Sequence, residues 1–204
     1  MNNFFVTAIG TDSGKTLVSA ILCEALGADY WKPVQCGEPR DIDYIREKVS
    51  NTNTKIHDET YFLKTPASPH MAARIENKEI NLDDFVLPPT RNALVVEGAG
   101  GLLVPFNNYN NMIDLASHLN LEIVLVSNYY LGSINHTLMS VEILKQSGIN
   151  VKGIIFNGER NEDSRSIILA RSGFPCLLDI NQEKTITPSI VRDYAGKLNI
   201  IQNV

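Results

Sequence analysis

A loop near the N-terminus, FVTAIGTDSGKT, carries residue types that could bind phosphate, and an apolar run follows directly after Thr16. A phosphate-binding loop must bend so that backbone N–H groups converge on the oxyanion, and it must lead into the N-terminus of a helix. Gly10 and Gly14 can supply the positive φ angles that such a bend requires. Lys15 can reach the β- and γ-phosphates of a nucleotide, and the Thr16 hydroxyl can bind Mg2+.

The glycine spacing of this loop departs from the usual pattern. The usual loop has a glycine five positions before Gly14, but Ile9 occupies that position and Gly10 comes one residue later. A strand–helix turn with a solvated lysine is the ordinary alternative. Because the loop follows a strand-like run and precedes a helical one, the pattern favours a longer phosphate loop.

Glu97 is a second candidate, because it stands at the end of the apolar run ALVVEG and precedes the glycines Gly98, Gly100 and Gly101. Ligands of open parallel sheets bind at the carboxyl ends of the strands. There, Glu97 could complete a magnesium shell begun by Thr16, and the glycines would let another ligand approach the backbone. A strand-end carboxylate before a flexible turn is the alternative interpretation.

Lys32 follows another apolar run, in WKPVQCG, and is either a surface lysine with a buried stem or the cation of a site. Asp41 and Asp43 come next, and one of them could add a second carboxylate to the metal, although both could equally be carboxylates on a helix surface. Pro69 could open a short helix led by Ser68. His70 lies in the same segment and has no evident partner, which favours a structural role.

Apolar runs alternate with helical periodicity along the chain, which predicts an α/β fold, a mostly parallel sheet with helices on both faces. We expect one domain over residues 1–204, with an elaborated segment at about 37–92 over one sheet edge. The predicted strands cover residues 4–9, 28–34, 93–98, 122–128, 151–157 and 175–180, and the predicted helices 16–26, 112–119, 134–148 and 162–173.

The composition is that of an ordinary globular protein, with 204 residues, net charge −5 and 44% hydrophobic residues. The net charge gives no bulk attraction to nucleic acid or to anionic membranes. No apolar run approaches the roughly 20 residues that span a bilayer, and the N-terminus lacks the basic start of a signal peptide. The odd number and wide spacing of Cys23, Cys36 and Cys176 fit a reducing compartment better than a disulfide framework or a zinc site. We therefore expect a cytoplasmic protein.

Five motifs together resemble the dethiobiotin synthetase family: FVTAIGTDSGKT, WKPVQCG, TPASPHMAA, VVEGAGGLLVP and LGSINHT, in this order. The resemblance implies a P-loop nucleotide hydrolase-like fold and a ligase of biotin synthesis. Such an enzyme closes the ureido ring on 7,8-diaminopelargonic acid with CO2, ATP and Mg2+. The family's own loop is also longer than usual, with its glycine at the position of Ala8, so that the flexible point in this chain moves to Gly10.

The resemblance also implies roles for individual residues. Lys15, Thr11 and Lys32 would be catalytic, with Lys32 holding the carbamate, and Thr16, Asp43 and Glu97 would hold Mg2+. The substrate would contact Cys36, where the family commonly has serine, and the backbone of Gly100 and Gly101. Asn135 would reach it from the partner subunit of a homodimer. The nucleotide would contact Asp12, Ser13, Gly14, Lys15, Thr16, Leu17 and Asn157.

Two other classes of protein share parts of this pattern. Amidating synthases of the cobyrinic acid type usually carry a glutaminase domain, for which 204 residues leave no room. Partitioning ATPases carry an additional lysine early in the loop, where this chain has Gly10, and usually a basic or amphipathic surface element. The sequence therefore favours the ligase over both.

Overall fold

The computed structural model describes residues 3–199, and its centre is a seven-stranded sheet in the order β4-β2-β6-β1-β7-β8-β9. All its neighbouring strands run parallel. The predicted α/β class with a mostly parallel sheet is confirmed. The strands are β1 (Phe4–Ala8), β2 (Asp29–Trp31), β3 (Val34–Cys36), β4 (Ile56–His57), β5 (Tyr61–Leu63), β6 (Leu94–Gly101), β7 (Glu122–Asn128), β8 (Val151–Asn157) and β9 (Cys176–Ile180).

Helices cover both faces of the sheet, as residues alternate between two apolar layers along each strand. In β1, Phe4 and Val6 face the layer that contains α1, α2 and α7, whereas Phe5 faces the layer that contains α3 to α6. The helices are α1 (Lys15–Leu26), α2 (Asp41–Lys48), α3 (Pro69–Ile75), α4 (Met112–His118), α5 (Ser133–Ser147), α6 (Glu162–Ser172) and α7 (Pro188–Ala195). None of them, within residues 3–199, has the length and apolar character needed to cross a membrane.

Strand β1 lies at the point where the chain changes direction across the sheet. After β1 the chain builds β2 and β4 on one side, returns through β6, and then adds β7, β8 and β9 on the other side. Open sheets of this kind bind ligands in the crevice beyond the carboxyl ends of the strands at such a switch point. The loop after β1 and the end of β6 therefore meet where a ligand is expected.

The strand predicted at 28–34 is wrong as a single element. Strand β2 ends at Trp31, and β3 leaves the main sheet to pair with β5 in a separate two-stranded sheet. Pro33 stands between them, and a proline has no N–H to donate to a ladder, so it interrupts the strand at this point. The break brings Lys32 out of the sheet at its carboxyl edge.

The segment at 37–92 contains α2, β4, β5, α3 and a 3-10 turn at Leu82–Asp84. Strand β4 pairs with β2 and forms one edge of the main sheet. Helix α2 packs Ile42 and Ile45 into the same apolar layer as α1. The segment therefore places the first turn of α2 beside the end of β2.

Candidate active site

The loop after β1 has its left-handed residues at positions different from those expected. Gly14 has φ 95° and precedes α1, and Asp12 has φ 57°, whereas Gly10 is not among the residues with positive φ. A Cβ added at Gly10 would meet nothing within 4 Å. The expectation that Gly10 supplies the flexible point is therefore wrong. An aspartate can occupy this backbone region because its short polar side chain tolerates it.

The carbonyl of Gly10 instead closes the loop. It accepts hydrogen bonds from the Lys15 ammonium at 3.2 Å and from the Ser13 hydroxyl at 3.2 Å. Lys15 is 8% exposed, and burial lowers its pKa although the charge of Glu97 opposes this effect. Lys15 thus lies folded over its own loop, in a position from which phosphate oxygens could replace the carbonyl as its partner.

Glu97 is the centre of the polar group at the carboxyl edge of the sheet. Its Oε1 accepts hydrogen bonds from Thr16 Oγ1 at 2.9 Å and from Lys32 Nζ at 3.1 Å. Its Oε2 accepts a hydrogen bond from the Tyr30 hydroxyl at 2.9 Å. The carboxylate, 1% exposed, is therefore shared by side chains from α1, the end of β2 and β2 itself.

The second carboxylate of the group is Asp41, and Asp43 lies outside it. Asp41 forms an ion pair with Lys32, and 27% of its side chain is exposed. The side chain of Asp43 is 59% exposed and pairs with Arg46 on the same helix at 2.7 Å. The two aspartates lie two residues apart in the first turn of α2, so that only one of them faces the loop after β1. The place expected for Asp43 is taken by Asp41.

Each charge in this group shifts the pKa of its neighbours. Burial alone would raise the pKa of Glu97, but Lys32 and Lys15 outweigh it and hold that pKa below its usual value. Burial would lower the pKa of Lys32, but Glu97 and Asp41 outweigh it and raise that pKa. For Asp41 burial prevails over Lys32, and its pKa is raised. Two buried cations and two carboxylates thus form an almost neutral set that an anionic ligand and a divalent cation could enter together.

A cleft of about 690 Å³ opens between the phosphate loop, α2 and the end of β6, which is within the range of small-molecule sites. Cys36 lines it, and burial raises the pKa of its thiol to about 11, so that the thiol is neutral and only a weak donor. The cleft brings together nine of the residues expected from the sequence: Thr11, Asp12, Gly14, Lys15, Thr16, Lys32, Cys36, Glu97 and Gly100.

Besides Asp43, five expected residues do not line the cleft. Ser13 and Asn157 meet behind the loop, where Asn157 Nδ2 donates a hydrogen bond to the Ser13 carbonyl at 3.0 Å. Leu17 packs against the apolar layer of α1. A Cβ on Gly101 would lie 3.1 Å from the Ala8 carbonyl, so that glycine lets β6 approach the end of β1. Asn135 is exposed on α5, with its amide 3.4 Å from the sulfur of Met139.

The sequence analysis assigned no functional role to Gln35 and Ser68, which line the cleft, or to Tyr30, which lies behind it. Gln35 and Ser68 line the cleft, and the side-chain oxygen Oε1 of Gln35 accepts a hydrogen bond from the Asp41 backbone N–H at 3.2 Å. Gln35 lies inside the motif WKPVQCG and Ser68 inside TPASPHMAA, and their places in these motifs could have marked both as site residues. Nothing in the sequence indicated a role for Tyr30, because an aromatic residue in an apolar strand is normally part of the core.

The donor set fits a magnesium ion bound together with a nucleotide. Mg2+ prefers oxygen ligands, and in nucleotide sites it uses one or two carboxylates, a hydroxyl and the phosphates of the substrate. Thr16 Oγ1 and Glu97 Oε1 lie 2.9 Å apart at the start of α1. Asp41 supplies a second carboxylate, which lies close to Glu97 because both carboxylates pair with Lys32.

A family model described as an AAA domain matches residues 2–189. Curated relatives match nearly the full length. The ATP-dependent dethiobiotin synthetase BioD of Cytophaga hutchinsonii is 53% identical over 200 residues, covering 97% of this chain and 97% of the relative. The protein of the same name from Christiangramia forsetii is 43% identical, covering 96% of this chain and 95% of the relative.

Solved structures show the same fold at low identity. The septum site-determining protein MinD of Pyrococcus horikoshii, complexed with Mg-ADP, has a TM-score of 0.60 at 14% identity and covers 100% of this chain and 90% of its own. A ParA family ATPase from Chlorobium tepidum has a TM-score of 0.54 at 11% identity, covering 95% of this chain and 97% of its own. At these identities the likeness concerns the fold alone.

Proposed function

This chain belongs to the family of ATP-dependent dethiobiotin synthetases, and we propose that its cleft closes the ureido ring of dethiobiotin on 7,8-diaminopelargonic acid with CO2, ATP and Mg2+. It is an ATP-dependent ligase of biotin biosynthesis. In the proposed reaction one amine of the substrate adds to CO2, loses a proton and becomes a carbamate. A carbamate oxygen attacks the γ-phosphate of ATP and releases ADP, and the second amine then displaces phosphate from the mixed anhydride and closes the ring.

The observation that carries this proposal is the position of the buried Lys32 between two carboxylates in the lining of the cleft. An ammonium group has three N–H donors, and Glu97 and Asp41 use two of them. Among residues 3–199 the third donor has no partner, and it would hold the oxygen of a carbamate, an anion that forms from two neutral reactants. A cation fixed in a water-poor site favours that anion and orients its oxygen towards the phosphate.

The phosphate side of the reaction belongs to the loop after β1. Lys15 would exchange the Gly10 carbonyl for the β- and γ-phosphate oxygens, and Thr11 would contact the γ-phosphate. Thr16, Glu97 and Asp41 would hold Mg2+, which supplies charge neutralisation at the phosphates when it is bound. The set uses Asp41 in place of Asp43, because Asp43 faces solvent on the other side of α2.

The remaining proposed contacts are those to the nucleotide base and to the diamine substrate. Asn157 lies beside the loop with its amide nitrogen bonded to the Ser13 carbonyl, which leaves its oxygen free to accept a hydrogen bond from the nucleotide base. Asp12, Ser13, Gly14 and Leu17 would line the nucleotide side. Cys36 and the backbone of Gly100 would contact the substrate, with Gly101 shaping the turn behind them.

We also propose a homodimer in which Asn135 of each subunit reaches the substrate in the partner's cleft. Asn135 is exposed on α5, near exposed apolar residues that a partner would cover. These are Leu103, Tyr130, Leu131, Ile134 and Met139. We place the reaction in the cytoplasm, which fits the three free cysteines, and we propose no nucleic acid or membrane partner.

The test of this function is whether ATP turnover depends on the diamine. Phosphate release should require 7,8-diaminopelargonic acid and bicarbonate, and dethiobiotin should form in equal amount. Hydrolysis that ignores the diamine would point to an ATPase of the partitioning kind and overturn the proposal.

A matched pair of lysine variants separates the carbamate site from the phosphate site. Lys32→Gln should leave binding of a non-hydrolysable ATP analogue within a few-fold of wild type while it lowers dethiobiotin formation by about 10²- to 10⁴-fold. Lys15→Gln should impair both, and calorimetry beside a product assay measures the two effects. Loss of nucleotide binding with normal turnover at saturating ATP in Lys32→Gln would assign that lysine to the phosphates.

A further inference from the structure

We propose that Tyr30 is a positioning residue of this reaction: its hydroxyl holds Oε2 of Glu97 and so keeps Oε1 directed at Thr16 and at the magnesium ion. The inference rests on the proposed function, because it concerns the metal that Glu97 would bind. It assigns a task to a residue that has no contact with the cleft itself.

The sheet register explains how a tyrosine in the core reaches a carboxylate at the sheet edge. Tyr30 in β2 stands opposite Val95 in β6, and Glu97 lies two residues further along β6 on the same face. Lys32 lies two residues beyond Tyr30 and reaches the same carboxylate from the end of the strand. The long side chain of Tyr30 reaches diagonally from β2 across to Glu97 on β6, and its hydroxyl lies 2.9 Å from Glu97 Oε2.

The ring of Tyr30 is fully buried at 0% exposure in the apolar layer that contains Ile42 and Ile45 of α2. A hydroxyl in such a layer is costly unless it forms a hydrogen bond, and phenylalanine would fill the same space without that cost. Among the hydrogen bonds of residues 3–199, the bond to Glu97 is the one that this hydroxyl makes. A phenol hydroxyl is protonated at neutral pH, so it is a hydrogen-bond donor to Glu97 in this position.

The two oxygens of Glu97 consequently have separate partners. Oε2 is occupied by a neutral donor inside the core, and Oε1 faces Thr16 and Lys32 at the cleft. Without the tyrosine hydroxyl, the carboxylate could rotate about its last bond and share both oxygens among Thr16, Lys32 and the metal. Partners of metal-binding carboxylates that fix their orientation in this way commonly change metal affinity by about 10- to 100-fold when they are removed.

The test compares Tyr30→Phe with Tyr194→Phe, which removes another tyrosine–glutamate hydrogen bond together with the bond that Tyr194 accepts from the Asn181 N–H at 3.0 Å. Tyr194 is 5% exposed, and its hydroxyl donates to Glu183 at 2.6 Å in a part of the chain away from the cleft. Mn2+ replaces Mg2+ as a paramagnetic probe, and its binding in the presence of a non-hydrolysable ATP analogue is titrated by electron paramagnetic resonance. Tyr30→Phe should weaken Mn2+ binding by about 10-fold or more and raise the Mg2+ concentration for half-maximal turnover by a similar factor, with KM for the diamine nearly unchanged. Tyr194→Phe should change neither.

Two analogues keep the test decisive if phenylalanine disturbs folding. Tyr30→4-fluorophenylalanine removes the donor at almost the same size and should reproduce the metal defect, and Tyr30→4-aminophenylalanine restores a donor and should recover affinity. If the variants without a donor bind Mn2+ within two-fold of wild type and lose only thermal stability, Tyr30 serves the core alone and the proposal fails.

Discussion

The two lysines and the carboxylates of Glu97 and Asp41 at the cleft do not divide simply into a pair for the metal and a pair for the phosphates. Lys32 bonds to both carboxylates, whereas Lys15 bonds to the backbone carbonyl of its own loop. Lys15 is thus the cation that an incoming nucleotide can recruit without breaking an ion pair. Lys32 is restrained between fixed anions, which suits a residue that must orient a small reactive anion.

The residue-scale test of the metal site compares two aspartates on one helix. Asp41→Asn should lower kcat/KM by about 100-fold, because it removes a carboxylate beside Lys32 and leaves that buried cation with one anionic partner. Asp43→Asn should stay within about two-fold of wild type, because an exposed ion pair such as that with Arg46 contributes little. Product formation over a range of Mg2+ concentrations measures both variants.

The same pair contains its own control for stability. Both changes remove a negative charge from the first turn of α2, so both should lose a similar few tenths of a kcal/mol from the interaction with the helix dipole. Asp41→Asn also leaves the buried Lys32 with one anionic partner, so its unfolding temperature should fall further than that of Asp43→Asn. If Asp43→Asn is the damaging change, the second carboxylate of the metal site is Asp43 and the assignment to Asp41 is wrong.

At the scale of elements, the sequence predicted regular strands and helices well where the local signal was strong. Strands β7 and β8 match their predicted ranges because each is an apolar run bounded by polar residues. Helix α7 was not predicted, although Thr187 caps it and Pro188 opens it, because the helix is short and follows a polar stretch. Strands β3, β4 and β5 are each two or three residues long, too short for any periodicity to show.

The positions of the candidate site residues were predictable where a motif carried them and not where tertiary packing decided them. The phosphate loop, Lys32 and Glu97 follow apolar runs directly, so their places at the sheet edge follow from the fold class. The choice between Asp41 and Asp43 depended on which face α2 turns to the loop, and the sequence does not fix that rotation. The role of Tyr30 depended on strand register, which a parallel pairing of distant segments leaves open.

The element-scale test compares two glycines of the phosphate loop. Gly14 has φ 95°, and an added Cβ would lie 2.3 Å from Asn157 Nδ2, whereas a Cβ on Gly10 would meet nothing within 4 Å. Gly14→Ala should therefore displace both the loop and Asn157 and weaken nucleotide binding by about 10-fold or more, since the left-handed backbone alone costs about 1–2 kcal/mol. Gly10→Ala should bind the ATP analogue nearly as wild type does. Equal losses in both would show that the loop changes shape on binding and needs a flexible Gly10.

At the scale of the whole molecule, the residues of one cleft come from α1, the segment from the end of β2 through β3, α2 and β6, which the chain order separates and the fold brings together. Helix α5 packs into the apolar layer opposite to that of α1, and its exposed face carries apolar side chains and Asn135. A second copy would cover that surface and bring Asn135 to a substrate. The proposed active site is thus a property of the dimer.

The proposed dimer is tested by mixing two inactive variants. Lys15→Ala removes the phosphate lysine, and Asn135→Ala removes the residue proposed to act across the interface. In a hybrid dimer one cleft carries both defects, and the other combines an intact Lys15 with an intact Asn135 of the partner subunit. Random exchange makes half of the dimers hybrids, so the mixture should recover about a quarter of wild-type dethiobiotin formation.

Subunit exchange is followed with a tag on one variant, and a mixture of Lys15→Ala with Lys15→Gln serves as the control that should stay inactive. If exchange is complete and the first mixture is no more active than the control, Asn135 acts within its own subunit or not at all, and the shared site is wrong.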